Sequence, residues 1–227
     1  MLTLALLLVA SAFSAAFATP VLVERAAPPS AGICQRGPTY CTGANVNITT
    51  DNRYICGDSR LGPDALPTTP PLSTLFANYV PLGGLCPTQW ITQYVNKTNP
   101  SYLLFPYADG FQNTTAAQPI RGNQTLPAGL LVDRFGAETG RYLAPFGTPF
   151  AQRALYPGAL NTMNASFPYN YHVYNVTKEF VVLGGPIAAW FGQPGQGTQY
   201  ETYRSVADLV ATGALARVHY NYDEVSM

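Results

Sequence analysis

Tyr171-His-Val-Tyr-Asn-Val-Thr177 and Phe180-Val-Val-Leu183 are β-branched and aromatic runs, split by the polar pair Lys178-Glu179. Runs of this composition predict two strands. Upstream, Leu130-Leu-Val132 is apolar and leads into Asp133-Arg134; downstream, Leu215 to Tyr222 alternates and pairs as a late strand. Two short helices have start signals. Thr148 is placed to cap one, with Pro149 at its first position, running to Leu155 before Pro157-Gly158. Ser205 is placed to cap another, with Val206, Leu209 and Val210 inward and Gly213 at its end. Twenty glycines and twenty prolines suit many tight turns. The class is α+β: a mostly antiparallel sheet with few short helices.

The rest of the chain divides around this core. Leu2 to Phe17 is apolar and uncharged, and Ala16-Phe17-Ala18 supplies a cleavage pattern, so residues 1–18 read as a signal peptide. The run is shorter than the ~20 residues of a membrane span, and no membrane association is expected of the mature chain. Residues 19–32 are a linker or propeptide rich in Pro and Ala. Residues 33–104 hold Cys34, Cys41, Cys56 and Cys86, an even count that suits two disulfides with three connectivities open. This region is loop-rich, with one short helix from Ser73. Zinc is disfavoured, since no C-x-x-C pair occurs. Residues 105–222 form the regular part and 223–227 a tail. Asn47, Asn96, Asn113, Asn123, Asn164 and Asn175 each begin an N-x-S/T sequon, which behind a leader suggests a secreted glycoprotein.

Charged residues make up 11%, against roughly 25% in an ordinary soluble domain. Twelve basic residues balance twelve acidic ones, so the basic face that nucleic acid demands is missing. What charge there is concentrates usefully. Arg134 ends a buried-looking strand before Phe135-Gly136, a place suited to a diphosphate; the bland reading is an ion pair with Asp133 or Glu138. Arg153 lies in the helix opened at Thr148, and Arg141-Tyr142 follow Gly140 in a turn. His172 and Tyr174 share one strand face and Val173 and Asn175 the other; a glycan on Asn175 would make that second face the solvent side. A lone inward histidine is ordinarily a satisfied core residue. Gly192, Gly195 and Gly197 make the loop after Trp190-Phe191 able to wrap a ligand. No G-x-S-x-G, H-E-x-x-H or P-loop pattern is present.

Asp133-Arg-Phe-Gly136, Gly140-Arg-Tyr-Leu-Ala-Pro-Phe-Gly-Thr-Pro-Phe-Ala-Gln-Arg-Ala-Leu155, Tyr171-His-Val-Tyr, and Trp190-Phe-Gly-Gln-Pro-Gly-Gln-Gly-Thr-Gln-Tyr200 occur in that order. Together they resemble the TNT domain, the necrotizing-toxin type of NAD glycohydrolase, over about 105–222. The leader, sequons and cysteines are similar to the secreted fungal members. The resemblance implies hydrolysis of NAD(+), and of NADP(+), to nicotinamide and ADP-ribose or its phosphate. It implies catalytic roles for Arg134, Gln199 and His172, and substrate contacts from Phe135, Tyr142, Arg153, Trp190 and Thr198. It requires no cofactor. It also implies a homodimer and, in some members, a structural calcium, for which Asp223-Glu224 is the acidic pair. Two rivals stand beside it: an ADP-ribosyltransferase using Gln199-Tyr200-Glu201, and a non-catalytic secreted binding glycoprotein.

Overall fold

The computed structural model describes residues 34–44 and 51–219, all within one compact unit that spans Ala31–Met227. The leader, the linker, Asn47 and the Asp223-Glu224 pair lie outside the described residues. No helix among the described residues is long and apolar enough to cross a membrane.

Seven strands form one sheet: β1 (Gly122–Leu126), β2 (Leu131–Phe135), β3 (Tyr142–Pro145), β4 (Tyr171–Val176), β5 (Phe180–Pro186), β6 (Thr198–Glu201) and β7 (Leu215–Val218). They lie in the order β1-β5-β6-β3-β2-β4-β7, with every pairing antiparallel. Among the described residues three short α-helices accompany them: α1 (Pro87–Tyr94), α2 (Phe150–Arg153) and α3 (Val206–Ala211). The α+β, mostly antiparallel class is borne out.

Register decides which side chains share a face. β2 and β4 pair Val132 with Tyr174, Asp133 with Val173, Arg134 with His172 and Phe135 with Tyr171. Side chains alternate along a strand, so Val132, Arg134, His172, Tyr174 and Val176 share one face. There Val132, Tyr174 and Val176 pack with Leu126, Val182, Val206, Leu209 and Leu215. Asp133, Phe135, Tyr171 and Val173 share the opposite face, where Leu72, Leu75, Phe76, Tyr79 and Phe150 cover the last three. Both faces are therefore buried. The solvent side that a glycan on Asn175 would imply is confined to the strand end: Leu131 and Ala216, paired with Asn175, are exposed, while the segment 72–79 seals the same face at Val173.

The cysteine region is stapled by Cys34–Cys86 and Cys41–Cys56. It shares a core with the rest. Trp90, fully buried on α1, stacks on Phe191 at 5.8 Å and donates Nε1–H to the Phe191 carbonyl at 3.4 Å. Gly83 and Gly192 meet backbone to backbone: a Cβ on Gly83 would lie 2.4 Å from the Gly192 carbonyl oxygen.

The helix ends divide. Ser205 caps α3 as expected, accepting from the Asp208 N–H at 3.1 Å. Thr148 does not cap α2. Its hydroxyl turns back to the Pro145 carbonyl at 2.7 Å, and Pro149 holds the cap position of a helix that stops at Arg153. Tyr142 lies in β3, and Thr198 and Gln199 in β6, where the sequence predicts a turn and a loop.

Candidate active site

A cavity of about 450 Å³ opens beside β2, β3 and β6. Arg134, Phe135, Tyr142, Arg153 and Gln199 all line it, together with residues 105–110 and 153–159 in part. Of the residues singled out from sequence, His172, Trp190 and Thr198 do not line it. Trp190 donates its indole N–H to the Leu104 carbonyl at 2.7 Å and packs edge-on to Tyr94. Thr198 opens β6 opposite Pro186.

The two arginines differ in kind. Arg153 is 5% exposed and ion-paired: its Nη2 sits 2.6 Å from Asp133 Oδ1, and Nε and Nη2 both donate to the Thr148 carbonyl. Its guanidinium also lies over the Phe135 ring at 5.1 Å. Asp133 is fully buried. Burial raises its carboxyl, but Arg153, the Tyr171 hydroxyl at 2.6 Å and the Gly147 N–H at 2.9 Å all favour the ionised form. With this many donors converging on it, we assign it as the carboxylate.

Arg134 has no such partner. It is 9% exposed and, among the described residues, no carboxylate lies within 4.0 Å of it. Its Nε donates to the Gly136 carbonyl at 3.0 Å and Nη1 to the Tyr142 carbonyl at 2.8 Å. Burial pushes this guanidinium below its ordinary value, yet arginine keeps its proton across the physiological range. The surrounding loop leaves room for it: a Cβ on Gly140 would lie 2.4 Å from Nη2, and one on Gly136 3.1 Å. A buried cation held by neutral carbonyls is costly unless an anion arrives. The blander alternative, an ion pair of Arg134 with Asp133 or Glu138, is not made, because Asp133 faces the other side of the sheet and Glu138 turns to Arg217 and Tyr174.

His172 stands beside Arg134 in the sheet but packs behind it, between Phe167 at 4.2 Å and Tyr174 at 6.3 Å. Its Nε2 meets Asn170 Oδ1 at 3.1 Å, and its buried Nδ1 has no hydrogen-bond partner among the described residues. Burial pushes its pKa down to about 4, so it is neutral at physiological pH. Gln199, on β6, donates Nε2–H to the Asp109 carbonyl at 2.9 Å. Glu201, two residues on, is held by Arg121 at 3.1 Å and Arg141 at 3.4 Å, and does not line the cavity.

The glycine loop is not a ligand cradle. Gly192 abuts Gly83, a Cβ on Gly195 would strike the Ala188 carbonyl at 2.6 Å, and one on Gly197 the Gln152 carbonyl at 2.8 Å. These glycines let protein backbone approach protein backbone. Sequence reasoning missed Asp109, Phe105 and Tyr156 on the cavity wall. They lie in irregular segments, where no periodicity marks which side chain turns inward.

A family profile described as Tuberculosis necrotizing toxin (TNT) matches residues 125–218. The conidial surface nicotinamide adenine dinucleotide glycohydrolase nadA of Aspergillus fumigatus is 47% identical over 189 residues, covering 82% of this chain and 80% of that protein. Among solved structures, tuberculosis necrotizing toxin complexed with its immunity factor IFT aligns with a TM-score of 0.45 at 21% identity, over 65% of this chain and 79% of that one.

Proposed function

Because the chain belongs to the TNT family and is 47% identical to the Aspergillus conidial surface enzyme, we propose that it is an NAD(+) glycohydrolase working in the cavity beneath Arg134. The reaction takes NAD(+) and water to nicotinamide, ADP-ribose and a proton. The C1′–N bond breaks with its electron pair going to the nicotinamide nitrogen. The leaving group departs neutral, so no general acid is required, unlike an ordinary glycoside. Nor does this chemistry call for a metal or redox cofactor. What helps is a firm grip remote from the reacting carbon and rigid placement of ribose and water.

The observation that carries the reading is Arg134, a buried guanidinium with no carboxylate partner among the described residues, opening on a cavity large enough for a nucleotide. Arg134 takes the diphosphate. Arg153, already neutralised by Asp133, secures the wall under Phe135 and contributes a weaker field. Gln199 positions the reacting ribose or water, while Phe135 and Tyr142 contact the rings. His172 supports Arg134 from behind as a neutral group. NADP(+) is a second substrate, its added phosphate reaching the open rim of the cavity. The transferase alternative loses support because both oxygens of Glu201 are engaged by arginines.

The same reading makes the protein a secreted or surface glycoprotein, with a leader at 1–18 and glycans on exposed sequons such as Asn113, Asn123 and Asn164. A homodimer and a structural calcium at Asp223-Glu224 belong to it through the resemblance alone. The decisive experiment incubates purified protein with NAD(+) and resolves nicotinamide, ADP-ribose and cyclic product. Nicotinamide and ADP-ribose in equal amounts are expected from the wild type, with Arg134→Ala and Gln199→Ala slowed about 10²-fold. Near-wild-type rates in both variants would sink this site.

A further inference from the structure

Part of the cavity lining comes from a segment outside the family match. Phe105, Pro106, Asp109 and Gly110 line the cavity, and all precede residue 125. Ala108, Asp109 and Gly110 have consecutive φ angles of 54°, 57° and 84°. The first two are unfavourable for residues with a Cβ, and such conformations persist only where surroundings over-determine them. Here the Ala188 N–H donates to the Gly110 carbonyl at 2.8 Å, and buried Phe111 bridges to Ile187.

Two consequences follow for the cavity. A carbonyl only accepts, so the bond from Gln199 to the Asp109 carbonyl turns the amide nitrogen to the loop and leaves Oε1 as the free acceptor. The Asp109 side chain, 45% exposed, is held through Oδ2 by Arg121 Nη1 at 2.9 Å. Arg121 passes on to Glu201, and Glu201 to Arg141, so charges alternate along the rim. Of these four residues only Asp109 lines the cavity. Its charge is felt at the Tyr142 hydroxyl, which burial, Glu201 and Asp109 together raise. Asp133 also lines the cavity, but it is fully buried and neutralised by Arg153, and Glu138 pairs with Arg217; Asp109 is paired as well, yet its side chain stays open and its partner Arg121 lies outside the lining.

The cavity is thus bipolar, lined by a cation with no carboxylate within 4.0 Å among the described residues and by a carboxylate open to it. NAD(+) is bipolar too, with an anionic diphosphate and a cationic pyridinium. We propose that Asp109 is a further catalytic carboxylate of this site, facing the ribose carbon from which nicotinamide departs and stabilising the positive charge that carbon acquires. The assignment rests on the NAD(+) hydrolysis reading above. As the C1′–N pair moves onto nicotinamide, positive charge passes from the pyridinium to C1′ and the ring oxygen. Water then adds to C1′ and releases its proton to solvent. A fixed carboxylate beside that carbon favours the transition state without exchanging a proton.

Asp109→Asn tests this, because it keeps the side-chain shape and the backbone carbonyl that orients Gln199. The expected result is a kcat for NAD(+) lowered about 10²-fold, with the inhibition constant of ADP-ribose, which lacks the pyridinium, changed less than about threefold. Asp109→Glu should recover part of the loss. An unchanged kcat in Asp109→Asn overturns the assignment. So does a matched loss of ADP-ribose binding and melting temperature, which would make Asp109 a structural residue. A wild-type protein that releases no nicotinamide overturns the hydrolysis reading beneath it, and the assignment falls with it.

Discussion

Asp133 and Arg134 are neighbours in the chain, yet their losses should act in opposite ways. Asp133 neutralises Arg153 in the interior. Asp133→Asn strands that guanidinium and should lower unfolding free energy by about 3–5 kcal/mol, measured by urea denaturation. Arg134 is buried without a carboxylate, so Arg134→Met removes a charge the fold does not need. Stability should hold or rise while nicotinamide release falls about 10²-fold. Parallel destabilisation of both variants would make Arg134 a structural residue. His172 gives a pH test. Its folded pKa, about 4, lies below the unfolded value near 6.5, so the unfolded chain binds the extra proton in that interval. Stability is full above about pH 6.5 and is lost as pH falls toward 4. Melting curves across this window should slope less in His172→Phe, which retains a ring beside Phe167 and Tyr174.

The loop between β2 and β3 crowds the Arg134 guanidinium. Gly140 has no positive φ, so alanine suits its backbone, but the new Cβ would meet Arg134 Nη2. Gly140→Ala should therefore fold with stability close to wild type while raising KM for NAD(+) about tenfold or more. A normal KM would mean that Arg134 does not need its present position. The same loop marks where sequence reading stops. β2, β4 and β5 were legible because their buried faces are written as β-branched and aromatic runs. β1 (Gly-Asn-Gln-Thr-Leu) was not, since four of its five residues are exposed at the sheet edge. β3 has four residues and ends in proline, and β6 lies against a glycine loop, so neither shows a period. Thr148 carried a capping signature that was satisfied elsewhere, one residue away from the true cap.

At the scale of the molecule, the cysteine region supports the sheet through Trp90, Phe191 and the Gly83–Gly192 contact. Trp90→Ala should cost about 3–5 kcal/mol, and reduction of each disulfide about 2–4 kcal/mol, both read from denaturation midpoints. An unchanged midpoint after reduction would show that packing alone holds the region. Sequence set the cysteine count but not the pairing, because connectivity depends on how loops fold back. The site was legible to the extent that resemblance carried it: Arg134, Phe135, Tyr142, Arg153 and Gln199 meet at one cavity. Asp109 was invisible because it comes from an irregular segment of its own. That origin bears on inhibitor selectivity. A compound that fills only the space around Arg134, Phe135 and Gln199 engages residues within the shared family region. One that reaches across to Phe105, Pro106 and Asp109 draws contact from a segment that the family match does not include. Such a compound is the one to test for discrimination against relatives whose likeness is confined to residues 125–218.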